Sequence, residues 1–247
     1  FTNVKVIVRV GSNNDKIYEV TKKPMQKKLF VFRFVEKFFE NLVLKKADFV
    51  IGANQNNLNF ALQNGASLDK SDIVRYGSLI DNLHYKKIEE RQIEKEFLKE
   101  NKLIHKNFIL YIGRLEKVKH AEDVIIVLNK ITKIKNNFKA LILGEGSEYN
   151  KLIDLIKNLK LEDKVVFAGN KSQKFISNIV ISSSVIISPH TGRALCEVSL
   201  GGGVVVGYDI DWQSELIKNN YIGYMVRYRD VDKLGEKTLD LINDKEK

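Results

Sequence analysis

The feature that most constrains the fold of this chain is an alternation of two kinds of segment over residues 107–247. Six short runs rich in β-branched and other apolar residues alternate with longer amphipathic stretches. Buried parallel strands have this apolar character and crossover helices join them, so the alternation predicts βα units around a parallel sheet. The predicted strands are residues 108–113, 139–144, 164–169, 184–189, 203–209 and 222–226. Because such crossovers are right-handed, we expect an α/β domain with a doubly wound, Rossmann-like sheet whose ligands lie at the carboxyl ends of the strands.

Residues 1–80 show the same rhythm less completely. Their predicted elements are strands at 5–11, 48–54 and 72–78 and helices at 28–46 and 55–63. Two or three strands make a poor free-standing sheet, so we expect a second, incomplete α/β domain here. The first residue is Phe1 rather than Met, which favours a fragment of a longer protein. The charged stretch 85–106 predicts a solvated helix, and we expect residues 81–106 to be a linker before the domain formed by 107–247.

Composition narrows the classes of protein. Hydrophobic residues make up 44% of the 247, enough for a sizeable core, which excludes a disordered chain. The net charge of +10 is compatible with nucleic acid, anionic lipid or a phosphate-bearing ligand. A nucleic-acid partner is disfavoured because most aromatic residues lie in predicted strand and helix cores. The single cysteine, Cys196, favours a reducing cytoplasm, and no apolar run is long enough for a membrane-spanning helix.

The segment GRLEKVK, residues 113–119, follows the first strand of the C-terminal domain. Gly113 permits a tight turn, Arg114 offers a planar fork of donors, and Lys119 opens the next helix, where backbone N–H groups attract anions. This combination predicts a clamp for a diphosphate. The alternative is that Arg114 and Lys119 are ordinary surface charges on a βα loop. At the next strand end, Gly144 begins a turn that lacks the spacing of a dinucleotide fingerprint.

The segment SPHTGRALCEVSLGGGVVVGYD leaves the fourth strand, turns at Gly192 and starts a helix near Ala194. The N–H groups of Gly192, Arg193, Ala194 and Leu195 are predicted to hold a phosphate, with glycine required where backbone approaches the ligand. Glu197 lies one turn into the helix, where a carboxylate can accept from the vicinal hydroxyls of a ribose. The alternative is a surface acid stabilised by its position near a helix N-terminus.

Taken in order, these segments resemble a known family. GRLEKVK, LILGEGSEYNKL, KVVFAGN, SPHTGRALCEVSLGGGVVVGYD and SELIKNNYIGYMV are similar to the nucleotide-sugar-binding domain of retaining glycosyltransferases of family 4, which have the GT-B fold. The resemblance covers residues 107–247, and residues 38–81 resemble the end of that family's N-terminal domain. It implies an enzyme that moves a sugar from a UDP- or GDP-sugar to a saccharide or lipid-linked saccharide, with retention at the anomeric carbon.

The resemblance also implies residue roles. Arg114 and Lys119 become the catalytic pair that binds the diphosphate and stabilises it as it leaves, and Glu197 binds the ribose. Pro189 stands where the family has a further Glu, so His190, Thr191 or Arg193 is expected near the donor sugar instead. The family works without a metal or other cofactor, which implies none here. The donor-binding set is Gly113, Gly144, His190, Gly192, Arg193, Ala194, Leu195 and Glu197.

Two features leave a non-catalytic alternative open. The family's N-terminal glycine-rich loop and histidine are not visible in residues 1–81. Together with Pro189, this departure favours a nucleotide-binding or scaffold relative that has lost transfer. Of the histidines, only His190 is predicted to face the cleft, whereas His84, His105 and His120 are predicted at the surface with no metal-ligand partner nearby.

The segment 22–46 joins a basic start to an apolar helical face. Its apolar residues at helical spacing are Phe34, Val35, Phe38 and Leu42. This face is predicted to pack on the N-terminal sheet while the lysines are solvated; the alternative is an amphipathic helix lying on an anionic membrane. The predicted location is therefore the cytoplasm, with peripheral contact at the inner face of the cell membrane as the open alternative.

Overall fold

The computed structural model describes residues 5–11, 27–75, 80–85, 91–217 and 222–244, with the side chains of 27–34 and Asn82 left aside. The chain divides into two compact units, residues 1–79 and 80–247.

The N-terminal unit contains a three-stranded parallel sheet. Its elements are β1 (Ile7–Val10), α1 (Lys27–Lys46), β2 (Phe49–Gly52), α2 (Gln55–Gln63) and β3 (Ser71–Ile73). The strand order is β1-β2-β3, which confirms the three predicted strands, although residues 76–78 of the third prediction lie outside the described residues. The Asn54 side chain caps α2 by accepting from the Asn57 N–H, because its oxygen satisfies an amide that has no partner within the helix.

The predicted packing of α1 on this sheet is wrong for the residues that suggested it. Val35 and Phe38 are 48% and 62% exposed, and Leu42 is also exposed. Leu44 and Ala47 are buried instead, against Val50 and Ala61. The apolar stripe is wider than the strip of α1 that meets the sheet, so helical spacing alone did not show which part of it is covered. Phe34, Lys22, Lys23, Lys27 and Lys28 lie outside the described side chains.

The C-terminal unit has six parallel strands in the order β6-β5-β4-β7-β8-β9. The strands are β4 (Phe108–Ile112), β5 (Lys139–Leu143), β6 (Val165–Phe167), β7 (Val185–Ser188), β8 (Val205–Asp209) and β9 (Gly223–Arg227). The helices are α3 (Lys95–Glu100), α4 (Ala121–Thr132), α5 (Tyr149–Asn158), α6 (Gln173–Val180), α7 (Arg193–Leu200), α8 (Gln213–Leu216) and α9 (Val231–Asp244). The six predicted strands and the doubly wound fold class are confirmed.

The two faces of this sheet are covered by different helices. Phe108 and Leu110 of β4 pack in one core with residues of α6 and α7. Side chains alternate along a strand, so the equally buried Ile109 and Tyr111 point to the other face, where α4 packs against α5 and α9. Strand order reverses between β4 and β7, which opens a crevice at their carboxyl ends.

The predicted solvated helix over 85–106 is wrong. The structure has only the six-residue α3 in this stretch, and residues 86–90 lie outside the described residues. Leu98 and Leu103 are buried in the core of the C-terminal unit. The high charge of the segment concealed these two leucines, which dock it on the sheet. Among the described helices, none combines the length and the apolar character needed to cross a membrane.

Candidate functional site

A cleft of about 430 Å³ lies at the carboxyl ends of the central strands. Its volume is within the range of small-ligand sites. The loops after β4, β5, β6 and β7 and the first turn of α7 form its walls. The predicted site residues that line it are Gly113, Arg114, Lys119, Gly144, His190, Gly192, Arg193, Ala194 and Glu197.

Leu195 is the predicted donor-binding residue that does not line the cleft. Its side chain is 1% exposed and belongs to the apolar core. Its N–H donates to the Gly192 carbonyl at 3.0 Å. The Leu195 N–H, which the sequence predicts as a phosphate donor, is thus used within the first turn of α7. Only the N–H groups that precede Leu195 lie nearer the cleft.

Lys119 joins the two sides of the cleft. Its Nζ donates to the Thr191 carbonyl at 2.6 Å and lies 3.3 Å from His190 Nδ1. Burial lowers the pKa of Lys119, as does the charge of Arg114, while Asp211 works in the opposite direction. Lys119 is therefore a half-buried cation held against the β7 loop, and its interpretation as an ordinary surface charge is wrong.

Arg114 reaches the cleft from a loop whose backbone is held on both sides. The Tyr111 hydroxyl donates to the Arg114 carbonyl at 3.0 Å. The Leu115 N–H donates to the Glu145 carbonyl at 2.8 Å, which ties the β4 loop to the β5 loop. The Arg114 side chain itself is exposed and lines the cleft, so it is accessible to an anionic ligand.

His190 is an uncharged group beside Lys119. Burial lowers its pKa to about 4, and the charge of Lys119 acts in the same direction. The imidazole is therefore neutral at physiological pH and does not repel the lysine. An anion bound beside them would favour the charged form of both groups.

Glu197 is buried, so its interpretation as a surface acid is wrong. The residue is 2% exposed, and burial raises its pKa while the charge of Arg193 lowers it. Arg193 Nε lies 3.4 Å from Glu197 Oε1, close enough for an ion pair, yet within the described chain Oε1 accepts no hydrogen bond. A buried carboxylate oxygen in this state is costly unless a ligand donor meets it.

Of Gly144 and Gly192, only Gly144 is required by the protein's own backbone packing around the cleft. Gly192 has φ 168°, an extended conformation open to any residue, and an added Cβ would lie 3.8 Å from Lys119 Nζ. The turn itself therefore does not need glycine, contrary to that part of the prediction, while the crowding of a bound phosphate by a Cβ at Gly192 stays a prediction. Gly144 has φ 141°, and an added Cβ would lie 1.9 Å from the Gly113 carbonyl oxygen. A side chain at Gly144 would force apart the β4 and β5 loops.

Sequence reasoning missed Asn170 and Lys171, which line the cleft after β6. Lys171 Nζ lies 5.4 Å from the Phe175 ring centroid and 5.7 Å from that of Phe97, within the range of cation–π attraction. Both residues directly follow the predicted strand KVVFAG, and this position at a strand end could have identified them as cleft residues.

The predicted surface position is also wrong for His120. Its side chain is 13% exposed and its ring contacts Glu122, Tyr228 and Arg229. His120, Glu122 and Asp123 bring three ligand-type atoms within 4.8 Å of one another, although no metal-ligand partner was expected near a histidine. The contacts to Tyr228 and Arg229 join residues more than a hundred positions apart, so only the fold reveals them.

Comparison with known proteins identifies the family that this chain matches. Residues 92–247, more than half of the chain, match the family described as glycosyl transferases group 1. N-acetyl-alpha-D-glucosaminyl L-malate synthase of Bacillus anthracis is 26% identical over 180 residues, which are 71% of this chain and 45% of that protein. An N-acetylgalactosaminyltransferase of Campylobacter jejuni, named for a diphospho-undecaprenol acceptor, is 31% identical over 147 residues, 58% of this chain and 36% of that protein. The matches thus span less than half the length of these relatives.

Solved structures agree on the fold. Anabaena HepE, determined in complex with UDP and glucose, superposes with a TM-score of 0.70 at 18% identity over 85% of this chain and 57% of that one. Sucrose-phosphate synthase from Thermosynechococcus elongatus gives a TM-score of 0.75 at 15% identity over 98% of this chain and 59% of that one. The GT-B expectation is thereby confirmed for the parallel-sheet architecture. On the match over residues 92–247, the chain belongs to the glycosyl transferases group 1 family.

Proposed function

We propose that the protein is a glycosyltransferase that binds a nucleoside-diphosphate sugar in the cleft and transfers the sugar to an acceptor with retention at the anomeric carbon. The observation that carries this proposal is the pairing, in one cleft, of two basic groups with a buried carboxylate oxygen that lacks a hydrogen bond. Arg114 and Lys119 suit a diphosphate, and Glu197 Oε1 suits a sugar hydroxyl. A nucleoside diphosphate carries both a diphosphate and the hydroxyls of its ribose.

In this proposal Arg114 and Lys119 supply positive charge where the diphosphate departs. The bond from the anomeric carbon to the diphosphate oxygen breaks, and the acceptor oxygen forms the new bond on the same face of the sugar. The acceptor proton passes to the released diphosphate. Because Lys119 is held in place before the reaction, its stabilisation of the developing charge needs little reorganisation. The amides of Arg193 and Ala194 at the start of α7 add further donors. No metal is required in this scheme.

The ribose end of the donor is assigned to Glu197. Its Oε1 would accept from a ribose hydroxyl, which reduces the cost of a buried oxygen that lacks a hydrogen bond. His190 and Arg193, which line the cleft beside Pro189, are assigned to the donor sugar in place of the Glu that the family has at that position.

UDP-sugar is the favoured donor class, with GDP-sugar as the comparison. Anabaena HepE has been solved with UDP and with UDP-glucose, and it shares this fold. The Campylobacter relative is named for a lipid-linked acceptor, which supports a saccharide or lipid-linked saccharide as the acceptor. Contact with the inner face of the cell membrane is part of the proposal. The reducing cytoplasm suggested by the lone Cys196 is compatible with that location.

Isothermal titration with UDP and GDP tests the donor site. UDP should bind, and Glu197→Gln should weaken binding by about 1–3 kcal/mol because a charge-assisted hydrogen bond becomes a neutral one. Glu236→Gln, which neutralises an exposed acid on α9, is the matched control and should bind UDP as the parent does. If the folded parent binds neither nucleotide, the proposal fails.

One observation favours a second candidate, a nucleotide-binding relative without transfer activity. Pro189 stands where the family has an acidic residue near the donor sugar. The two candidates differ in turnover: release of UDP from a UDP-sugar in the presence of saccharide acceptors supports the enzyme. Tight UDP binding by the full-length protein with no transfer or hydrolysis supports the second candidate.

A further inference from the structure

A cluster of polar side chains, anchored on the buried Asp123, lies next to Lys119 along the chain. It consists of His120, Glu122 and Asp123 at the start of α4 and Tyr228 and Arg229 after β9, and we call it the His120 cluster. His120, the residue that follows Lys119, has φ 53° and ψ 41°. This left-handed conformation is unfavourable for a residue with a Cβ, so surrounding contacts must hold it.

Arg229 lies at the centre of the His120 cluster. Its Nη1 is 2.7 Å from His120 Nδ1, 3.0 Å from Glu122 Oε1 and 2.8 Å from Asp123 Oδ2. These three residues are the ones whose ligand-type atoms converge as in a metal site. The guanidinium nitrogen occupies the point of convergence, so the chain itself supplies the cation there.

Both nitrogens of the His120 ring have partners. Nδ1 lies 2.7 Å from Arg229 Nη1 and 3.3 Å from Glu122 Oε1. Nε2 lies 2.8 Å from the Tyr228 hydroxyl, within hydrogen-bond distance. Tyr228 also meets the ring edge-to-face, with centroids 5.6 Å apart. These contacts fix the direction of the ring and, through it, the backbone of His120.

Arg229 is itself left-handed, with φ 65°. Two residues in an unfavourable conformation therefore hold each other through their side chains, although they are 109 positions apart. Their shared anchor is Asp123, which is fully buried and accepts from the Tyr208 hydroxyl at 2.7 Å. The His120 cluster thus ties the turn after β9 to the turn that carries Lys119.

We propose that His120 and Arg229 are positioning residues for Lys119. By holding the left-handed turn at His120, the cluster directs Lys119 Nζ onto the Thr191 carbonyl and into the cleft. This inference rests on the proposed function in one respect, that Lys119 binds the donor diphosphate. A merely structural cap on α4 would contribute to stability without any energetic coupling to Lys119.

The test is a double-mutant cycle on UDP affinity. Arg229→Gln should raise the UDP dissociation constant about tenfold in the parent and less than about twofold in the Lys119→Ala background, because the effect passes through Lys119. Lys233→Gln removes the same charge from an exposed pair with Glu236 on α9 and should leave UDP affinity unchanged. Equal losses in both backgrounds, or no loss in a folded Arg229→Gln protein, would overturn the inference.

A second pair of variants separates the effect of the His120 ring from the effect of the left-handed backbone at that residue. His120→Ala removes the ring but keeps the Cβ that disfavours the left-handed turn, whereas His120→Gly removes both. His120→Gly should therefore bind UDP more tightly than His120→Ala. Equal affinities would contradict the inference, and this pair settles the question if Arg229→Gln does not fold.

Amide hydrogen exchange gives a readout that does not depend on UDP. The exchange rate of the amides at residues 117–123 should rise about tenfold in Arg229→Gln and stay unchanged in Lys233→Gln. The turn opens locally when the contacts of the His120 cluster are lost. If the parent binds no UDP, the proposed function fails, while the exchange result still tests whether the His120 cluster holds the turn. Unchanged exchange at these residues would overturn the inference.

Discussion

The two walls of the cleft are held in different ways. We call residues 113–120 the β4 wall and residues 188–197 the β7 wall. In the β4 wall, backbone groups contact one another closely: Gly113 and Gly144 leave no room for a side chain between them, and the Leu115 N–H donates to the Glu145 carbonyl. The backbone of this wall is therefore held by contacts within the protein.

The β7 wall is held by side chains and leaves polar groups open. Its Thr191 carbonyl accepts from Lys119, and the Thr191 hydroxyl donates to Asp211 at 3.4 Å, a long contact. Glu197 Oε1, within the described chain, accepts no hydrogen bond. One wall is therefore preorganised by backbone packing, while the other retains acceptors that a ligand has to satisfy.

The largest expected effect contrasts one glycine from each side of the cleft. Gly144→Ala should destabilise the protein by about 3 kcal/mol or more, because its Cβ would collide with the Gly113 carbonyl and its φ disfavours alanine. Gly192→Ala should change the free energy of unfolding by less than about 0.5 kcal/mol, since the site is extended and open. Urea unfolding of the two variants measures both. Similar losses would show that the walls are equally rigid.

The second prediction concerns pH and the β7 wall. The folded-state pKa of His190, about 4, lies below its ordinary value of 6.5, so the folded protein binds fewer protons than the unfolded chain between these values. The contribution of neutral His190 to the free energy of unfolding is fully present above pH 6.5. It is lost as the pH falls towards 4, by up to about 3 kcal/mol.

Urea unfolding from pH 7.5 to 4 checks this prediction against His190→Gln. Carboxylates titrate in both proteins, so the difference between the two curves isolates His190. The parent should lose more stability than the variant as the pH falls. Parallel curves would show that the ring is solvated in the folded protein.

The smallest effect is expected at Lys171. Lys171→Ala should weaken UDP binding about twofold to fivefold, because an exposed cation at the rim of the cleft is screened by solvent. Its thermal midpoint should fall by no more than about 4 °C, because exposed cation–π contacts contribute about 0.5–1 kcal/mol. Lys174→Ala, a change at an exposed lysine on α6, is the control, and the two lysines should differ in titrations at low salt. Identical affinities would remove Lys171 from the donor site.

The strands could be predicted because their signal is local. A buried parallel strand is a short apolar run whatever surrounds it, and β4 to β8 fall inside the predicted stretches, while β9 extends one residue past its own. The prediction over 85–106 failed for the opposite reason. There two leucines, Leu98 and Leu103, decide the outcome, and a charged background conceals them.

By itself, the sequence determined the order of the strands and that Arg114, Lys119 and Glu197 follow strand ends, because periodicity and turn chemistry are properties of neighbouring residues. Only the tertiary structure decided that Glu197 is buried without a hydrogen bond for Oε1 and that Gly144 is the glycine that backbone packing around the cleft requires. It also decided that Arg229 meets His120 across 109 positions. Burial and close approach depend on which distant segments pack together, and no local pattern encodes them.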